Sequence, residues 1–150
     1  MVKNILKIKD RLSYITDLDK SCMLCGILEE IREHLFFKCC FSSLCLRIML
    51  RKMGINRRTK AWSDLVKFIK LGKGISGNTR RCMLALSAGL VYVIWRARNE
   101  VLYDQAVPMP SKVVEKVINK VLCRIQHIQG KNFSKEELVW IEKCKHKNSE

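Results

Sequence analysis

Four residues in the first third of the chain carry the donor atoms of a metal site. They are Cys22, Cys25, His34 and Cys39, in the pattern Cys-x2-Cys-x8-His-x4-Cys. Zinc takes about four soft or borderline ligands in a tetrahedron, with thiolates at roughly 2.3 Å and imidazoles at about 2.0 Å. A Cys-x2-Cys turn brings two thiolates to one ion, and a His and a Cys four residues later close the shell. Four protein ligands leave no position for water, so the expected ion is one structural Zn, not a hydrolytic one. Cys40 adjoins Cys39, and the spacing leaves either as the fourth ligand. The rival chemistry is a redox Cys-x2-Cys pair, which belongs at a helix start in a βαβ setting; no parallel-strand pattern is visible. Cys45, Cys82, Cys123 and Cys144 fall on apolar helical stripes or near a helix end, where thiols are expected as small buried hydrophobes. His127 and His146 are isolated and receive no role.

No other constellation points to catalysis. Asp17 and Asp19 form a lone Asp-x-Asp, for which a turn or helix cap is the better explanation. There is no nucleophile–base or carboxylate pair to argue from spacing, so the chain is not expected to be an enzyme.

Charge points to a partner instead. The 150 residues hold 29 Lys+Arg against 14 Asp+Glu, a formal net charge of +15. Such an excess describes partners and not fold. Lys and Arg on phosphates release counterions, which makes RNA or DNA the natural ligand. The densest basic stretches are Arg51-Lys52, Arg57-Arg58-Thr59-Lys60 and Arg80-Arg81. The N-terminus lacks the apolar core of a secretory signal, so the eight cysteines read as thiols or ligands of an intracellular protein. The longest apolar run, Cys82 to Trp95, is too short for a membrane span.

The elements that must hold these residues are helical. Leu12, Ile15 and Leu18 suggest one or two turns. Phe41, Leu44, Cys45, Ile48 and Met49 mark an amphipathic helix to Met53, with Ser42 or Ser43 as cap and Gly54 as stop. Trp62, Leu65, Val66 and Ile69 mark a second, ended at Leu71-Gly72. Residues 71–79 contain Gly72, Gly74 and Gly77; they miss the phosphate-loop pattern and read as a mobile linker between two helical blocks. Arg80 to Tyr103 reads as one long helix, apolar all round in its first half. Pro108 and Pro110 end it, and Ser111 is a candidate N-cap for the next. That helix carries Val113, Val114, Val117, Ile118, Val121, Leu122, Ile125 and Ile128 up to Gly130. Its residues are β-branched, but the period is helical. Ser134 and Glu137 form a capping box for a last helix through Leu138, Ile141 and Cys144, before a polar, frayed tail from Lys145 to Glu150.

Two blocks of sequence resemble one family. Asp10-Arg11-Leu12, Cys22-Met-Leu-Cys25-Gly26 and Glu33-His34-Leu35-Phe36-Phe37-Lys38-Cys39 look like the zinc-binding domain that follows the polymerase in plant non-LTR (LINE-type) retrotransposon reverse transcriptases. Tyr92-Val-Ile-Trp95-Arg96-Ala-Arg98-Asn99 resembles the Tyr-x-Ile-Trp-x-x-Arg-Asn segment downstream in such proteins. The resemblance runs roughly from Lys7 to Ile128. It departs at Cys45, where the family usually has Trp. It implies nucleic-acid handling, a nuclear location and an element-derived C-terminal fragment without the polymerase, whose chemistry needs an adjacent Asp pair absent here.

The expectation is therefore a mainly α, small helical domain with an N-terminal zinc-tied Cys-Cys-His-Cys loop and a C-terminal block of two to three helices. Residues 1–70 form the reverse-transcriptase-like zinc-binding domain, 71–79 the linker and 80–150 the C-terminal helical region. Lys20, Arg32, Lys38, Arg57, Arg58 and Lys60 are the candidate contacts to RNA or DNA, with low sequence specificity. Phe36 and Phe37 are expected to pack inward, as are Tyr92 and Trp95. Arg96, Arg98 and Asn99 read as a polar face toward a nucleic-acid backbone or as a solvated helix end. No small-molecule substrate and no membrane partner are expected. The alternatives are a protein-interaction or scaffold domain that self-associates through residues 82–103 or 113–128, and a decayed remnant with no selected function.

Overall fold

The computed structural model describes residues 19–57, 62–104, 107–129 and 132–146, without the side chains of residues 62, 102–104 and 129. The expected turns at Leu12 to Leu18, the Asp10-Arg11-Leu12 motif, Asp17, Arg58, Lys60 and the end of the tail lie outside the described residues. Within them the protein is helical and contains no strand beyond an isolated antiparallel bridge between Ser21 and Glu29.

A wide π-type turn, His34–Lys38, leads into α1, Cys40–Lys52. The helices that follow are α2 (Trp62–Leu71), α3 (Gly77–Asp104), α4 (Pro110–Gln129) and α5 (Lys135–His146). Their apolar stripes meet in one buried cluster. It takes Cys45 and Met49 from α1, Leu65 and Ile69 from α2, Leu86 and Ile94 from α3, Val114 and Leu122 from α4, and Ile141 and Cys144 from α5. α4 packs chiefly on α3 and next on α1. The approach of α3 to α4 is close at Gly89, where a Cβ would stand 3.1 Å from methyl groups of both Val117 and Val121.

The helix ends follow local chemistry, with two departures from expectation. Gly54, at φ 79°, ends α1 as a Schellman motif. Its N–H donates to Arg51 O at 3.1 Å and that of Ile55 to Leu50 O at 2.8 Å, satisfying carbonyls the helix leaves open. Ser42 and Ser43 do not cap α1, which begins ahead of them. Their hydroxyls turn back to the carbonyls of Leu35 and Phe37 and fasten the helix to the π-type turn. Ser111 is likewise inside α4, not before it. Pro110 takes the first helical position, where its missing N–H costs nothing.

Residues between α2 and α3 are extensively hydrogen-bonded. The Arg80 guanidinium donates to the carbonyls of Lys70, Gly72 and Ile75. Ser76 caps α3 by accepting the Thr79 N–H at 3.1 Å. The Ser134–Glu137 capping box forms as expected, with Ser134 N–H to Glu137 at 2.9 Å and Glu137 N–H to Ser134 Oγ at 3.2 Å. The same Glu137 carboxylate also accepts the Ser76 hydroxyl and, at 3.1 Å, the Asn78 amide. One acidic side chain thus serves the starts of both α3 and α5, where the helix dipoles favour it.

α3 is not buried all round. Cys82, Leu86, Leu90, Ile94 and Val101 face the core, whereas Arg81, Ala88, Tyr92, Arg96 and Glu100 face water. Tyr92 is therefore a surface residue, against expectation; it keeps ring contact with Trp95 at 6.0 Å. Trp95 is half-buried against the core, and its indole N–H is enclosed without a partner. Phe36 is buried, and Phe37 packs beside it half-exposed. On α4, Ile128 is exposed, as is Cys123, which belongs to the polar face and not to the core.

Candidate metal centre

The loop that precedes α1 is folded by a few backbone contacts. Cys22 N–H donates to Leu28 O at 2.8 Å, Glu30 N–H to Lys20 O at 2.8 Å, and Gly26 N–H to Cys22 O at 2.7 Å. The tight turn requires Gly26 at φ 67°, in the left-handed region that side chains resist. The Asp19 carboxylate accepts the N–H and hydroxyl of Ser21 at 2.9 and 2.7 Å, so this aspartate serves a turn.

The loop and the π-type turn bring Cys22, Cys25, His34 and Cys39 together, with one donor atom from each lying within 4.8 Å of all the others. Sγ of Cys22 and Cys39 are 3.9 Å apart, and Cys25 Sγ is 3.3 Å from His34 Nε2. A tetrahedral site with Zn–S bonds of about 2.3 Å puts thiolates roughly 3.8 Å apart, so the four donors lie close enough to hold one metal ion. Cys22, His34 and Cys39 are buried and Cys25 half-buried. Cys40 is exposed, which leaves Cys39 as the fourth donor. The reason is helical geometry: Cys39 precedes α1 in extended backbone, at ψ 135°, while Cys40 is already inside the helix and turned outward.

Electrostatics in the cluster favour ionised sulfur at one position first. Cys22 is pulled well below the usual thiol range, chiefly by its hydrogen bond with Cys39, then by the N–H groups of Leu24 and Cys25 against the opposing effect of burial. Cys39 is raised, first by the same shared proton and then by burial, although the N–H groups of Phe41 and Ser42 at the start of α1 act in the opposite direction. A cation held by Cys22 and Cys39 would take the place of that proton, since metal binding deprotonates coordinating thiols. Outside the cluster, burial pushes Cys45 up to about 12 and, with the charge of Glu137, Cys82 up to about 11. Both are inert thiols that fill the core, as expected.

The structure adds two residues that spacing alone does not pair. Glu30, fully buried, accepts Arg98 Nη2 at 2.7 Å and Nε at 3.0 and 3.1 Å, and takes the Met23 N–H at 3.2 Å. Arg98 is 6% exposed and donates its remaining Nη1 to Asn99 Oδ1 at 2.8 Å. Arg98 is thus neither a nucleic-acid contact nor a solvated helix end. It clamps the loop of residues 19–39 to α3. A signal existed: Arg98 stands at helical spacing from Val91, Ile94 and Val101 on the buried stripe. A charge on such a stripe demands a partner. Arg96 does stay at the surface, paired with Glu100 at 2.9 Å.

The basic residues singled out from the sequence have separate locations. Lys20, Arg32 and Lys38 are exposed on the metal loop and π-type turn. Lys38 pairs with Glu33 at 3.0 Å. Arg57 is exposed beyond α1, with its guanidinium 5.5 Å from the Phe68 ring centroid. Among the described residues no helix is long and apolar enough to cross a membrane. No protein-family model matches the chain, and neither a curated protein nor a solved structure does.

Proposed function

We propose that this chain is a non-catalytic, zinc-organised domain that binds RNA or DNA through its phosphates. The observation that carries the reading is the convergence of three thiols and one imidazole, each within 4.8 Å of the rest. Thiolate with imidazole is a donor set that selects zinc among abundant divalent ions, and four such donors make a closed, structural shell. The binding free energy of such an ion is folding free energy for the loop that holds it. Nucleic acid as partner is supported by the net charge of +15 and by the exposed Lys20, Arg32 and Lys38 around the metal loop. Descent from the zinc-binding domain of plant retrotransposon reverse transcriptases, and with it a nuclear location, belongs to the same proposal and rests on the two motif blocks.

Native mass spectrometry tests the first half. One zinc per chain is expected for the parent and none for the Cys22→Ser, Cys25→Ser double variant; a folded, reduced parent without zinc would refute the assignment. Titration with labelled RNA and DNA at several salt concentrations tests the second half, where affinity should fall steeply with salt.

A protein-interaction role is the second reading, favoured by one feature. Ile27 and Leu28, at the tip of the metal loop, are 78% and 57% exposed, with Ile31 beside them. An apolar tip suits a protein partner better than a phosphate, and salt-insensitive self-association or capture of a defined partner would support it.

A further inference from the structure

One groove in the described structure combines the features a nucleic-acid strand needs. It has a volume of about 930 Å³ and runs along α1 from the π-type turn to the segment after Gly54. Arg47, Arg51 and Arg57 line it, beside Leu44, Leu46, Leu50 and Ile55 among the described residues. Arg47 and Arg51 are one helical turn apart on α1, so their side chains rise on the same face. Arg57 enters from the other side of the Schellman turn. Its guanidinium stays over the Phe68 ring, 5.5 Å from the centroid, which fixes the direction of that charge before any ligand arrives.

The end of the groove nearest the metal differs in character. Phe37 and Cys40 form its wall there, and they flank the ligand Cys39. The Phe37 ring is half-exposed, tilted 56° to the buried Phe36. Ser43 and Asn56 are exposed polar residues of its lining. A cationic channel that ends on an aromatic face fits a single strand, whose phosphates follow the charges while an unpaired base reaches the ring. A duplex keeps its bases stacked and has no base to offer Phe37.

We propose that this groove holds a single-stranded nucleic acid, with Arg47, Arg51 and Arg57 on its phosphates and Phe37 against one base. The proposal rests on the nucleic-acid reading above and gives it a location. It differs from the sequence expectation, which put the contacts on the metal loop. The metal's part is indirect: coordination at Cys39 fixes the wall that carries Phe37 and Cys40.

The test compares zinc-loaded variants for binding of a short, fluorescently labelled deoxythymidine oligomer across a salt series. Each variant is first checked for helicity and zinc content. Arg47→Gln with Arg57→Gln should weaken binding about tenfold at low salt. It should also make the slope of log affinity against log salt shallower by about 1.4, the value for two lost phosphate contacts on a single strand. The control is Lys116→Gln with Lys120→Gln, on the exposed face of α4, which should change affinity by less than about twofold if contacts are local. Phe37→Leu should weaken the oligomer about fivefold and leave the slope alone, because stacking is not an ionic contact. Equal losses in the groove and control variants would overturn the groove while leaving the nucleic-acid reading intact. Displacement of the oligomer by polyglutamate as readily as by unlabelled oligomer of equal charge would overturn the strand in favour of an acidic peptide. No salt-sensitive binding by the parent would overturn both proposals.

Discussion

The metal loop and the α3–α4 pair reach order by different physical routes. Residues 19–39 expose Ile27, Leu28 and Ile31 and bury polar or ionisable groups, namely Glu30, His34 and the Cys22 and Cys39 thiols. α3 and α4 do the reverse, with Leu86, Ile94, Val114, Ile118 and Leu122 fully enclosed. A helix pair of this kind is stabilised by removing apolar surface from water, at roughly 25 cal/mol per Å². The loop sends Leu24, Leu35 and Phe36 into the same core, but it also holds buried polar groups by a few directional bonds, among them those to Glu30. The difference teaches where single changes should matter: many residues share the load in the helices, whereas in the loop each candidate ligand is expected to count singly.

Removing the ion should separate the two regions most sharply. With apparent binding free energies of about 10–16 kcal/mol for structural zinc in small domains, chelation is expected to abolish amide protection across residues 19–39. α3 and α4 should retain most of theirs. Hydrogen exchange read by mass spectrometry makes the comparison, and uniform loss in both regions would show that the loop and helices are one cooperative unit.

The Glu30–Arg98 clamp is the next largest effect, because it joins the regions. Arg98→Met takes the opposite charge away from the buried Glu30 carboxylate, which should cost about 3–5 kcal/mol. Adding Glu30→Leu should recover most of that loss, since an apolar pair in the same space is often neutral. Urea denaturation of the two single variants and the double variant gives the coupling. Additive losses would mean that the pair does not act as a unit.

A smaller and pH-dependent effect is expected at Glu137. The Ser76 hydroxyl, then the Ser134 N–H and the Asn78 amide, hold its carboxyl below the usual carboxylate range. A carboxylate lowered on folding contributes fully above its unfolded pKa, about 4.3, and loses that contribution as pH falls through the lower folded value. Glu137→Gln should therefore cost about 1 kcal/mol near neutrality, as a lost cap does. The difference from the parent should shrink below about pH 4. A difference that stays constant down to acid pH would assign the loss to packing and not to the charge.

What was legible in the sequence was mainly local. The ligand spacing, the stripes that became α1 to α4 and the Ser134–Glu137 box all lie within a few turns of chain, where period and chemistry speak directly. The choice of Cys39 over Cys40 required the register of α1. The outward roles of Tyr92 and Cys123 depended on how many neighbours each helix has, which composition does not report. Ser42 and Ser43 were misread because a hydroxyl near a helix start can serve either the helix or the turn before it. The partnership of Glu30 with Arg98 spans 68 positions; one charge on the buried face of α3 announced a partner without saying which of several glutamates it was.

That clamp also bears on the order in which the protein is made. Cys22 and Cys39 are 17 positions apart, so the loop that carries the ligands closes at little entropic cost and needs only itself. Glu30 waits much longer, because Arg98 lies near the far end of α3. On a ribosome that emits the N-terminal end first, all four candidate ligands would emerge while Glu30 still lacks Arg98. Emergence of α3 then withdraws that charge and seats the loop against the helices. Vectorial synthesis would thus separate any capture of an ion from docking of the loop.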